Sequence, residues 1–166
     1  YYSEDYVIDT LNAHAALASA DFVNPKAIGL WGHSMAGNVT SRALAAKPDI
    51  PAVVVWAGAG YTYTDLSEYR INDQSYRPPQ QNTERQRRRQ LLADTHGAFT
   101  PESPFWSQVA ITNYIKDIKG AIALHHAVND NVVSVEYSRN LKRLLDATSV
   151  PHEMFEYPFL FVSLNE

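Results

Sequence analysis

Ten consecutive residues, GLWGHSMAGN from Gly29 to Asn38, restrict the fold of this chain more than any other stretch. A short apolar run, Ala27 to Trp31, comes first and suits a strand buried on both faces. An alanine-rich segment, Ser34 to Ala46, then reads as a helix that stops before Pro48. Only a tight turn fits between them. Such a turn brings the strand and helix backbones together, so the residues two before and two after the serine must be small. Gly32 and Ala36 meet that condition, and Gly37 eases the packing of the helix.

The same alternation recurs along the chain. Upstream, Ser3 is a candidate N-cap, with Glu4 and Asp5 in the first turn and Val7, Leu11, Ala15 and Ala18 at helical spacing. Downstream, AVVVW (Ala52–Trp56) and AIALH (Ala121–His125) are two further strands of the buried type. Ser134 can cap a helix carrying Val135, Leu141, Leu144 and Leu145, and His152–Tyr157 is a last, shorter strand. Strands separated by helices predict an α/β fold, a mostly parallel sheet with crossover helices. The chain is expected to form a single domain over residues 1–166, with 58–103 as an irregular, cap-like insertion in which Thr83 and Gln86 form a capping box.

Arg85, Arg87, Arg88 and Arg89 lie on that predicted helix, but the formal net charge is −4, so a solvated face explains them better than nucleic acid. No apolar run approaches the roughly 20 residues of a membrane span. The chain has no cysteine, which excludes disulfides, thiolate zinc sites and a cysteine nucleophile. That composition fits the cytoplasm without fixing the compartment. Small molecules or peptides are the partners to expect, and the oligomeric state is left open. The chain opens without Met or a signal pattern, and the reading is that a longer protein begins upstream.

In its strand, turn, helix setting, Ser34 has the context of a nucleophile elbow, its hydroxyl at the carboxyl end of the sheet and the Met35 N–H facing a developing oxyanion. The competing reading of Ser34 is a plain helix N-cap. A serine hydroxyl needs a base, and the base needs an orienting group. Asp130, in the loop after AIALH, is placed to be that acid, or otherwise to cap the next helix. His33, next to the serine on a sharp turn, points elsewhere and is not the expected base. His125 and His126 face opposite sides of a strand, so no metal is expected there, and no cofactor is implied.

GLWGHSMAGN, SPFWSQVAITNYIKDIKGAIALHHAVNDNVVSVEYSRNL and HEMFEYP together resemble the catalytic domain of the prolyl oligopeptidase family of serine peptidases, over Tyr1 to Pro158. The resemblance implies a partial α/β-hydrolase fold, a peptide or small ester substrate, and an acyl-enzyme route. It matches Ser34 to the nucleophile, Asp130 to the triad acid and Met35 to the elbow's oxyanion donor. Ala127 and Ser134 replace the family's usual Gly and Pro, changes the site should tolerate.

The serious departure follows Pro158: the family's catalytic histidine comes soon after EYP, whereas this chain reads FLFVSLNE. His152 lies within the last strand, ahead of that turn, and is a poor substitute. The second oxyanion donor of the fold comes from an earlier loop, upstream of Tyr1. Impaired activity and marginal folding of this polypeptide alone are therefore expected. A carboxylesterase or other acyl hydrolase, an acyltransferase or thioesterase on the same elbow, and a non-catalytic binding module stay open as alternatives.

Overall fold

In a computed structural model of the protein, residues 4–69, 71 and 83–158 are described, apart from the side chains of 66, 67, 83, 85, 86, 88 and 89. The elements are α1 (Asp5–Ala18), β1 (Leu30–His33), α2 (Met35–Ala46), β2 (Ala52–Trp56), α3 (Asp65–Glu68), α4 (Thr83–His96), β3 (Ala121–Ala127), α5 (Glu136–Asp146) and β4 (His152–Tyr157). Among the described residues four strands form one sheet in the order β1-β2-β3-β4, every neighbouring pair parallel. The expected α/β architecture is the observed one.

Helices on one side make the core. Leu44 of α2 and Leu141 and Leu145 of α5 pack on Val53 and Val55 of β2 and Ile122 and Leu124 of β3, all of them at most 2% exposed. The register pairs Val53 with Ile122 and Val55 with Leu124, so the buried row runs straight across the two central strands. α1 packs on the outside of α2.

The expectation of strands buried on both faces does not hold among the described residues. Residues of the opposite parity, Trp31, Trp56 and Phe155, are 65%, 36% and 41% exposed. Because α2 and α5 lie on the same side, the other face presents its aromatic residues openly. β1 also begins later than Ala27: Pro25–Ala27 is a 3-10 turn closed by Asn24, whose side chain accepts the Lys26 N–H, so the strand starts at Leu30 and runs on to His33. β3 likewise continues two residues past His125, to Ala127.

Ser134 sits one residue before the N-cap, Val135, and its Oγ accepts the Glu136 N–H at 3.3 Å. The Ser3 cap and the FLFVSLNE segment fall outside the described residues. The same is true of the side chains of Thr83, Gln86, Arg85, Arg88 and Arg89, while Arg87 is exposed on α4. No described helix is long and apolar enough to cross a membrane.

Candidate active site

The turn from β1 into α2 has the geometry its small residues permit. A Cβ on Gly32 would stand 2.4 Å from the Ala36 carbonyl oxygen and 2.6 Å from Thr40 Oγ1, so the strand passes against the first turn of α2 with no room for a side chain. A Cβ on Gly37 would meet Val55 Cγ1 at 2.7 Å and the Cα of Gly58 at 2.9 Å, which lets α2 lie close on β2. Between these contacts Ser34 takes φ 54°, ψ −122°, a region that residues with a side chain rarely occupy. Its N–H donates to the Trp56 carbonyl at 3.0 Å, so the strand ladder holds the serine in place.

Ser34 occupies the N-cap position of α2, yet its hydroxyl makes no capping bond. The plain N-cap reading therefore fails: the side chain is left available at the carboxyl edge of the sheet. Met35 is the first residue of α2, and its N–H has no acceptor within the helix. It points with the positive end of the helix dipole. Met35 and Ala36 are both partly exposed.

Asp130 stands at the same edge, two strands over, in the turn that follows β3. Strand spacing puts its backbone roughly 10 Å from that of Ser34, a gap an imidazole can bridge. Its Oδ1 accepts the N–H groups of Val132 and Val133, both at 2.9 Å, and its side chain is only 5% exposed. Oδ2 accepts neither of these amides and lies 3.7 Å from His126 Nε2. The capping alternative is also partly met, because those two amides lie in the approach to α5, whose N-cap is Val135.

All six histidines of the chain can be placed. His33 is exposed and lies over Trp31, ring centroids 6.4 Å apart. His125 stacks between Trp56 and Phe155 on the open face, its Nδ1 2.8 Å from Tyr157 Oη. His126 turns to the core side, as alternation along the strand requires. His152 is at the opposite edge of the sheet, Nδ1 2.8 Å from the Val150 carbonyl and Nε2 2.9 Å from Asp146 Oδ1. From strand spacing and rise it is on the order of 20 Å from Ser34. His14 is buried on α1, and His96 stacks on Phe105 at the end of α4.

Sequence reasoning passes over Asp65, which anchors the loop leaving β2 at this edge. Its side chain accepts the N–H groups of Tyr61 and Thr62, the Thr62 hydroxyl and the Asn140 amide. The loop is thereby tied to α5. Together with burial, the Asp65 charge pushes the Tyr137 hydroxyl up to about 12, and that hydroxyl donates to the Tyr69 carbonyl. An aspartate opening the short run DLSE was the available signal, weak because α3 has only four residues. Among the described residues no cluster of three or more His, Asp or Glu could hold a metal.

The sequence model of the prolyl oligopeptidase family matches residues 2–159. The chain belongs to the prolyl oligopeptidase family. No curated protein matches it in sequence. Among solved structures, the acylaminoacyl peptidase of Pyrococcus horikoshii superposes with a TM-score of 0.62 at 16% identity, over 91% of this chain and 22% of that one. Dipeptidyl peptidase 4 of Porphyromonas gingivalis gives 0.62 at 19% identity, over 92% and 19%. Acetyl xylan esterase 1 of Thermoanaerobacterium sp. JW/SL YS485 gives 0.61 at 17%, over 93% and 46%. The likeness is one of fold, that of the α/β-hydrolases, and this family member spans less than half the length of each of these chains.

Proposed function

We propose that the chain carries the nucleophile and acid of a serine hydrolase of the prolyl oligopeptidase type, which cleaves peptide bonds through an acyl-enzyme on Ser34. The observation that supports this most is the uncapped Ser34 hydroxyl on a backbone held at positive φ at the start of α2. Ser34 Oγ attacks the substrate carbonyl carbon while a base takes its proton. The oxyanion that forms is met by the Met35 N–H, and Asp130 Oδ2 orients and stabilises the protonated base. The base returns the proton to the leaving amine, and water then releases the acyl group by the same steps in reverse. The loop at residues 58–69 leaves β2 at this edge, where the Asn38 amide of α2 donates to the Gly60 carbonyl.

Within this polypeptide the base is the missing part. His152 lies at the wrong edge of the sheet, His126 faces the core, and His125 is stacked on the open face. The chain by itself is therefore impaired: removing the histidine of such a triad costs on the order of a million-fold in turnover. An ester substrate is the second reading, favoured by the superposition on acetyl xylan esterase 1.

The test is labelling of the folded 166-residue chain with a fluorophosphonate, with and without added imidazole, and with Ser34→Ala as control. Slow labelling that imidazole accelerates and Ser34→Ala abolishes is the expected result. A folded chain that stays unlabelled under both conditions overturns the nucleophile assignment, and fast labelling without imidazole overturns the impairment. Competition between a peptide and an acetyl ester for the imidazole-assisted reaction separates the two readings.

A further inference from the structure

The groups around the Asp130 turn include one side chain to which neither the sequence pattern nor the proposed chemistry gives a task. His126 is 0% exposed, and both its ring nitrogens are engaged: Nε2 is 2.9 Å from the Val133 carbonyl oxygen and Nδ1 is 2.8 Å from Ser138 Oγ. A carbonyl oxygen can only accept, so Nε2 carries the proton. A neutral ring then leaves Nδ1 to accept from the Ser138 hydroxyl. Three segments thus meet on one imidazole: β3, which carries it, the turn that holds Asp130, and α5, which carries Ser138.

The same Nε2 lies 3.7 Å from Asp130 Oδ2. That distance is too long for a hydrogen bond. The proton of His126 goes to the Val133 carbonyl, and Val133 in turn donates its N–H to Asp130 Oδ1. His126 therefore grips the peptide that grips the carboxylate, while Oδ2 keeps its lone pairs for another partner.

We propose that His126, protonated on Nε2, is a positioning residue for Asp130: with Ser138 it fixes the turn so that one carboxylate oxygen is saturated by backbone amides and the other is held ready for the catalytic base. This rests on the reading of Asp130 as the triad acid. A charged imidazolium in that place would be a competing cation beside Oδ2, and burial of the ring disfavours that form. The task is separate from catalysis itself, since His126 reaches the reacting atoms only through Val133 and Asp130.

The test uses the 166-residue chain, His126→Phe, His126→Gln and Ser138→Ala. His126→Gln retains an N–H donor near the place of Nε2. Two readouts are taken: amide hydrogen exchange at Val132 and Val133, and imidazole-assisted fluorophosphonate labelling of Ser34, with Asp130→Ala as control for the second. His126→Phe is expected to raise exchange at those two amides by about tenfold, the size of one lost buried hydrogen bond, while amides of β1 and β2 keep theirs. His126→Gln is expected to restore protection, and labelling should follow the same order.

Nitrogen NMR of the wild type should show His126 protonated on Nε2 alone at neutral pH. Unchanged protection in His126→Phe, or a ring protonated on Nδ1, overturns the proposal. If His126→Phe does not fold, the same comparison is made with Ser138→Ala, where unchanged protection at Val132 and Val133 counts equally against it. If wild type fails to label with imidazole, the nucleophile reading falls, yet the exchange and nitrogen data still decide whether His126 holds the turn.

Discussion

The Ser34 N–H donates to the Trp56 carbonyl, so the β1–β2 ladder extends one residue past the strand and clamps the serine at φ 54°. A side chain in that region is strained by an amount of order 1 to 3 kcal/mol. Ser34→Ala and Ser34→Gly both remove the hydroxyl, but only glycine removes the strain. The glycine variant should be the more stable of the two by about 1 kcal/mol in urea unfolding, and both should fail to label. Equal stabilities would mean that the turn relaxes in solution.

Gly32 is under a harder constraint than the serine. Its backbone lies against Ala36 and Thr40, and the nearest atom a Cβ would meet is a carbonyl oxygen of the helix, which cannot rotate away. Gly32→Val should therefore push β1 and α2 apart, with a loss of about 3 kcal/mol in the same unfolding measurement. Gly97, where a Cβ would meet nothing within 4 Å, is the contrasting site, although its φ of +72° favours glycine for a different reason. A Gly32→Val protein as stable as wild type would show that the small-residue rule does not govern this turn.

The alternation of strands and helices, and the strand, turn and helix around Ser34, were legible because both depend on local pattern. Valines in sequence, a Gly-x-Ser-x-Ala turn and prolines after helices leave few alternatives. The side of the sheet on which the helices lie is not local. AVVVW has the same apolar character whether one face or two are covered, and only the packing of α2 and α5 together on one side shows which. His126 was visible as half of an HH pair, and alternation places it on the core side with Ile122 and Leu124. Its partners Val133 and Ser138, 7 and 12 residues away, depend on how the turn folds back onto α5. Asp65 escaped for the same reason, its contact with Asn140 spanning 75 residues.

Burial of His126 makes a prediction about acid. Desolvation is the largest influence and holds its pKa below the ordinary 6.5; the Val133 carbonyl, Asp130 and Glu156 act to raise it, and Arg139 to lower it. The unfolded chain therefore binds a proton that the folded one resists, so stability is full above about pH 6.5 and declines as pH falls from there toward the lowered value. One proton gives a slope of at most about 1.4 kcal/mol per pH unit. His126→Gln should flatten the stability profile between pH 6.5 and 5, above the range where carboxylates titrate. A slope that survives this substitution would have to come from another group.

The open face of the sheet leads to the last prediction. Trp56, His125 and Phe155 stand in register on β2, β3 and β4, their rings stacked at 5.3 and 4.9 Å. Trp31 on β1 adds a ring that is 65% exposed. A row of exposed apolar rings on a sheet is a candidate binding surface for an apolar solute. The folded 166-residue chain should enhance the fluorescence of a hydrophobic dye while keeping its near-ultraviolet circular dichroism, which separates this surface from a molten state. Trp56→Ser with Phe155→Ser should remove most of the dye signal and leave the core row of Val53, Val55, Ile122 and Leu124 intact. A chain that ignores the dye, or a signal indifferent to those two substitutions, would mean that the aromatic face is covered in solution.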